Sequence, residues 1–173
     1  MTIALNVKLI NEVVVATTDK RMNLDCVHVE DDKVAGKRLY VATNGHILFC
    51  VKDEIPVDDG LPESGLDIKL TKKLNVAKWQ QLVPFDFDGK RLIHDELMLI
   101  HDKDCNYPKW KEVVPKSGEP AKSFTMFDWR YLKLLETFMG GKLTMRPHTV
   151  DETSPHVYES KDRFALIMPY RID

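Results

Sequence analysis

The two ends of this chain read as rough copies of one unit. Residues 2–52 run as a short strand, a helix and three strands, and residues 121–171 repeat that order over almost the same length. The repeat restricts the 173-residue chain to an α+β fold of strand-helix-three-strand units, with helices packed on antiparallel sheets.

The C-terminal copy is the clearer. Ser123 to Met126 is extended, and Asp128 is placed to cap a helix through its side-chain oxygen. Tyr131, Leu134, Leu135 and Phe138 fall at i, i+3, i+4 and i+7, one apolar stripe, and Gly140-Gly141 ends it. Leu143 to Arg146, Val157 to Glu159 and Arg163 to Met168 read as strands. In the N-terminal copy Leu9, Ile10, Val13 and Thr17 suit a helical face, whereas the Val13-Val14-Val15 run favours a strand. On the residues alone, helix and strand both stay open from about Asn6 to Asp19. Strands follow at Cys26 to Glu30, Lys37 to Ala42 and Leu48 to Lys52, the last pair joined by a hairpin turn at Asn44-Gly45. The middle, 53–120, reads as a contracted unit: Ile68 to Val83 as a strand running into a helix, then short strands at Phe85 to Phe87, Arg91 to His94 and Leu97 to His101. The division expected is residues 1–116 as one domain with a contracted second half, and 117–173 as a half-domain.

Composition narrows the function. The hydrophobic fraction of 43% belongs to a folded chain, and a net charge of -2 leaves nucleic-acid contact to local basic surfaces. Cys26, Cys50 and Cys105 stand without C-x-x-C spacing and read as buried free thiols of a reducing compartment. The N-terminus lacks the basic region and apolar core of a signal peptide, and no run reaches the roughly 18 apolar residues of a membrane span. A cytoplasmic location is expected. His94-Asp95 and His101-Asp102 invite a metal or acid–base reading, but their spacing matches no tight ligand motif, and nucleophile-elbow, P-loop and dinucleotide fingerprints are lacking. No cofactor, no metal and no enzymatic activity are expected.

Three short motifs carry the functional reading. They are Ala42-Thr43-Asn44-Gly45-His46-Ile47-Leu48, the stretch Tyr107 to Pro115, and Ile167-Met168-Pro169-Tyr170-Arg171-Ile172. Taken alone, the first is a hairpin turn, the second ordinary loop packing and the third a last buried strand. Together and in this order they resemble the bacterial DNA polymerase III beta subunit, the sliding clamp, in a shortened form. The resemblance aligns the chain with a clamp's middle domain followed by the last half of its final domain. It implies the DNA clamp fold, with a helix from about Asn6 to Asp19, and a groove for an extended, polar-then-apolar peptide of a polymerase, clamp loader or other replication protein. Thr43, Gly45, His46, Leu48, Pro108, Val113, Met168, Pro169, Tyr170 and Arg171 would line that groove, with Tyr170 narrowing it. Three positions depart from the family pattern: Asn44 replaces an acid, Ile47 an arginine, and Glu112 a basic residue.

The resemblance also implies inward-facing helices that meet duplex DNA through phosphates, without sequence preference and with salt sensitivity. Lys8, Lys20, Arg21, Lys69, Lys72, Lys73, Lys78, Arg130 and Lys133 are the candidates, against the plainer reading of solvated helix faces. Three functions follow as alternatives: copies assembled into a ring that gives polymerase processivity, a non-ring decoy or adaptor that occupies clamp partners, and an unrelated metal-dependent hydrolase. The modest basic surface weighs toward the second over the first. An unpaired half-domain would leave an open sheet edge that favours self-association, with Leu143 to Arg146 and Val157 to Glu159 the expected edge. The small size suits a phage-like replication protein.

Overall fold

Asn6 decides where the chain passes from strand to helix. In the computed structural model its side chain accepts a hydrogen bond from Leu9 N–H at 3.3 Å, capping helix α1 (Val7–Val13) directly after strand β1 (Thr2–Asn6). The helix is shorter than expected. At the β-branched run it tightens into a 3-10 turn, Val14–Thr17. The structure describes residues 1–17, 24–54, 60–70, 73–75, 81–105, 107–115, 119–120, 126–141, 148–149, 151 and 153–170. Expectations for 18–23, 71–72, 76–80, 121–125 and 142–147 lie outside these, including the helix of the middle segment and the strand at Leu143 to Arg146.

The strands are β2 (Cys26–Asp32), β3 (Lys37–Thr43), β4 (Ile47–Asp53), β5 (Leu66–Lys69), β6 (Leu82–Phe87), β7 (Arg91–His94), β8 (Leu97–His101), β9 (Glu119–Pro120), β10 (His148–Thr149), β11 (His156–Glu159) and β12 (Arg163–Ile167). Helix α2 (Trp110–Val113) is one turn, and α3 (Trp129–Phe138) is capped by Asp128, which accepts from Arg130 N–H at 2.9 Å. All described strands join one antiparallel sheet in the order β1-β6-β7-β8-β5-β2-β3-β4-β12-β11-β10-β9. The first repeat and the middle segment exchange their first strands, β1 pairing with β6 and β5 with β2. The first and last repeats meet through their final strands, β4 and β12, with Leu48 opposite Leu166.

That register corrects one of the two strands of the expected edge. The strand at Val157 to Glu159 is interior, paired with β12 on one side and β10 on the other. Among the described residues the edge there is β9, two residues long and containing Pro120, which has no N–H to offer a further strand.

Side-chain alternation along β3, β4 and β12 then builds two cores. Tyr40, Ala42, Ile47, Phe49, Val51, Ala165 and Ile167 face α1 and α3. Leu39, Val41, Leu48, Cys50, Phe164 and Leu166 face the other way, toward Tyr107, Trp110 and Val114. On the helix side Phe138 stacks on Phe49 with centroids 4.1 Å apart. Arg163 ties the helices together, pairing with Glu12 of α1 at 2.9 Å and donating to the Phe138 carbonyl of α3. The expected stripe of α3 packs inward, Leu135 and Phe138 fully and Tyr131 and Leu134 in part. Cys26 and Cys50 are buried free thiols, and Cys105 is half-buried. Among the described residues no helix is long and apolar enough to cross a membrane.

Candidate functional site

The tip of the β3–β4 hairpin is held by its own side chains. Asn44 Oδ1 accepts from the N–H groups of His46 and Ile47, both at 3.0 Å. The Thr43 hydroxyl donates to the Ile47 carbonyl at 2.8 Å and accepts from Gly45 N–H at 3.1 Å. The turn centre therefore sits at Gly45-His46, one residue later than expected. Only Gly45 there takes a positive φ, 85°, which glycine adopts without a Cβ penalty. An acid at position 44 would place an acceptor oxygen in the same spot, so Asn44 conserves the turn while removing its charge. Ile47 turns its side chain into the helix-side core, 1% exposed, and cannot serve a rim as an arginine would.

Residues 107–114 pack across the sheet as a strap. Tyr107 stacks on His28 with centroids 4.8 Å apart. His28 Nδ1 lies 2.7 Å from Asp67 Oδ1, and its Nε2 lies 3.8 Å from Glu30. Trp110 Nε1–H donates to Glu30 Oε1 at 3.1 Å, and Lys111 pairs with the same oxygen at 3.1 Å. Burial opposes charge on His28, but the hydrogen bonds to Asp67 and Glu30 outweigh it and raise the imidazole to about 9. Burial likewise works against the charge on Glu30, and the hydrogen bonds from His28 and Lys111 hold its carboxyl below the usual range. At neutral pH the strap is thus fastened by a charged His28 between two carboxylates.

Strap, hairpin tip and the end of β12 enclose a cavity of about 560 Å³. Seven residues singled out from three distant segments line it: Thr43, Gly45, His46, Leu48, Pro108, Val113 and Met168. Leu24, Ile47, Trp110, Leu166 and residues 153–155 complete the wall. Leu166 was legible as the alternate neighbour of Met168, and Trp110 lies inside the second motif. Leu24 and 153–155 carried no local signal. Among the described residues the lining holds no carboxylate, lysine or arginine, so the cavity suits apolar groups. Glu112 stays at the rim, pairing with Lys109 at 3.5 Å with both side chains exposed.

Pro169 and Tyr170 do not line this cavity. Tyr170 is 61% exposed and borders a separate shallow depression with Met126 and Trp129, so it does not narrow the groove. Arg171 lies outside the described residues, as do Lys20, Arg21, Lys72 and Lys78. Lys8 on α1 and Lys133 on α3 are exposed on the helix side and make no ion pair among the described residues; Lys73 is exposed as well. Arg130 is engaged by Asp128 through Nε and Nη2. Lys69 cannot share the helix side. Leu66 and Ile68 of β5 face the helix-side core, so Lys69 points to the opposite face, where Asp25 and Asp102 each lie 3.7 Å away.

The histidines that invited a catalytic reading hold structural positions. His94 packs edge-on against Phe85, and His101 accepts from Asp67 N–H at 3.2 Å while packing against Phe87. Among the described residues no group of three metal-ligating side chains comes together.

One continuous antiparallel sheet built from repeated units, with helices on one face and a cavity on the other, is the architecture of a DNA sliding clamp, and the chain has that fold. No protein-family model and no curated protein matches its sequence. Solved structures do. The chain superposes on the DNA polymerase III beta subunit of Thermotoga maritima with a TM-score of 0.69 at 15% identity, covering 100% of this chain and 66% of that one. The H. pylori beta clamp in complex with diflunisal gives 0.70 at 15% identity, over 99% and 66%. The C. crescentus beta sliding clamp gives 0.67 at 14% identity, again over 99% and 66%. The chain thus spans just under two thirds of the length of these clamps.

Proposed function

We propose that this chain is a sliding-clamp-like protein of DNA replication that acts by binding, without a chemical step, and holds short linear peptides of replication proteins in the cavity under the strap. The convergence of Thr43, Gly45, His46 and Leu48 with Pro108, Trp110 and Val113 and with Met168 on one cavity carries the reading. The C. crescentus clamp, whose structure holds polyethylene glycol at a region named for beta-motif tethering, is consistent with a ligand-accepting surface in this fold. A labelled peptide ending in an apolar pair should bind in the micromolar range in fluorescence anisotropy, on the order of 8 kcal/mol. Met168→Ala should weaken it by roughly 1–3 kcal/mol. No binding at hundreds of micromolar by folded protein would end the proposal.

A non-ring adaptor or decoy that occupies clamp partners is the second reading. It is favoured by the basic surface, because Arg130 is engaged by Asp128 and Lys69 lies on the wrong face. The ring reading requires self-association. A solution mass of one chain, unchanged up to roughly 100 micromolar where micromolar interfaces would be populated, would leave the adaptor.

A further inference from the structure

A second cavity, of about 390 Å³, lies on the same sheet face as the first. Trp110 lines both. Their floors are successive steps along the same strands: Leu48 then Cys50 on β4, and Leu166 then Phe164 on β12. Two residues of a strand span roughly 7 Å, so an extended chain lying in the first cavity reaches the second within a few residues.

The two differ in charge. Among the described residues the first has no lysine, arginine or carboxylate in its lining, whereas Lys37, Lys52, Lys111 and Lys161 surround the second. Among the described lining residues the one carboxylate, Asp32, spends its Oδ1 on the N–H groups of Val34 and Ala35 at 3.1 and 3.0 Å. Lys161 is exposed and makes no ion pair among the described residues. Lys37 and Lys52 pair with Glu54 and Glu159, side chains that are 75% and 54% exposed. Such solvent-facing pairs are weak and exchange readily for a better-placed anion. Lys111 is held by Glu30 and serves as a wall.

We infer that the second cavity receives an acidic segment of the same partner peptide, flanking the apolar residues that occupy the first. The inference rests on the proposed peptide binding and adds the chemistry of the partner: an apolar anchor and, a few residues away past Trp110, two or more carboxylates. The apolar floor of Leu39, Cys50 and Phe164 takes the stems of those residues, and the lysines take their charges.

Fluorescence anisotropy on three labelled peptides tests it. All carry one Leu-Phe anchor; one bears four glutamates before it, one four glutamates after it, and one four glutamines on both sides. One glutamate peptide should bind about tenfold tighter than the glutamine peptide at low salt, the joint effect of two or three exposed ion pairs. The gain should vanish in 0.5 M salt and in Lys52→Glu/Lys161→Glu, roughly as screening at that ionic strength requires. The glutamine peptide should bind the double variant unchanged. Lys161→Glu alone, which breaks no ion pair, should remove part of the gain and guards against misfolding of the double variant. Equal affinity for all three peptides would overturn the acidic-segment inference and leave the proposed groove standing. Failure of every peptide to bind would remove both.

Discussion

The Met168 backbone N–H donates to the His46 carbonyl at 2.8 Å, fastening the end of β12 to the tip of the β3–β4 hairpin. This bond joins two motifs more than a hundred residues apart and sets one lip of the cavity. The strap residue Trp110 lines the same cavity and is anchored on Glu30, which makes it a direct probe of the site.

Trp110→Ala should lower peptide affinity about tenfold or more, as loss of a central aromatic anchor does. It removes the bond to Glu30 and the packing against Phe164, centroids 6.3 Å apart. Trp110→Phe keeps the ring and loses only the N–H, so its loss should be smaller. Anisotropy on the two variants measures both effects.

Stability should fall at high pH through His28. Its folded pKa, about 9, lies above the unfolded value of 6.5, so its contribution is complete below pH 6.5 and is lost as pH rises through 9. The loss should amount to at most about 3 kcal/mol. Urea unfolding at pH 6 and pH 10 checks this, with His28→Gln as reference, since that variant should show a smaller drop between the two. An equal drop in both proteins would remove His28 as the cause.

Gly65→Ala should destabilise more than Gly36→Ala, although both glycines have positive φ, 76° and 63°. A Cβ at Gly65 would sit 2.6 Å from the Val29 carbonyl oxygen and 2.9 Å from His28, whereas at Gly36 it meets nothing within 4 Å. The expected costs are about 1 kcal/mol at Gly36 and about 2 kcal/mol or more at Gly65. Urea midpoints of the two variants give the comparison.

If the helix side meets duplex DNA, Lys8→Glu/Lys133→Glu should weaken binding without sequence preference and reduce the log–log salt slope by about 2. Arg130→Glu should matter less, because Asp128 already engages the guanidinium. Retention on circular duplex DNA over a salt series would show it. Wild-type retention by the lysine pair variant would mean this face does not contact DNA.

Much of the fold was legible along the chain because it depends on neighbours. The strand-like runs Lys37 to Ala42 and Leu48 to Lys52 around Asn44-Gly45 identified the hairpin, the stripe from Tyr131 to Phe138 the helix, and Asp128 its cap. The turn was found one residue off, since Asn-Gly marks a tight bend but the pairing of Thr43 with Leu48 decides which two residues occupy it.

The site divided along the same line. Taken alone the motifs read as a turn, a loop and a strand; their resemblance, in order, to the sliding-clamp family singled out the seven residues that line the cavity. Only tertiary pairing decided that Leu24 and 153–155 join them, that Tyr170 faces elsewhere and that Lys69 lies away from the helices. Those outcomes depend on which strand pairs with which and which sheet face the helices cover. These are long-range choices, set by burial of the two cores together rather than by any segment's own preference.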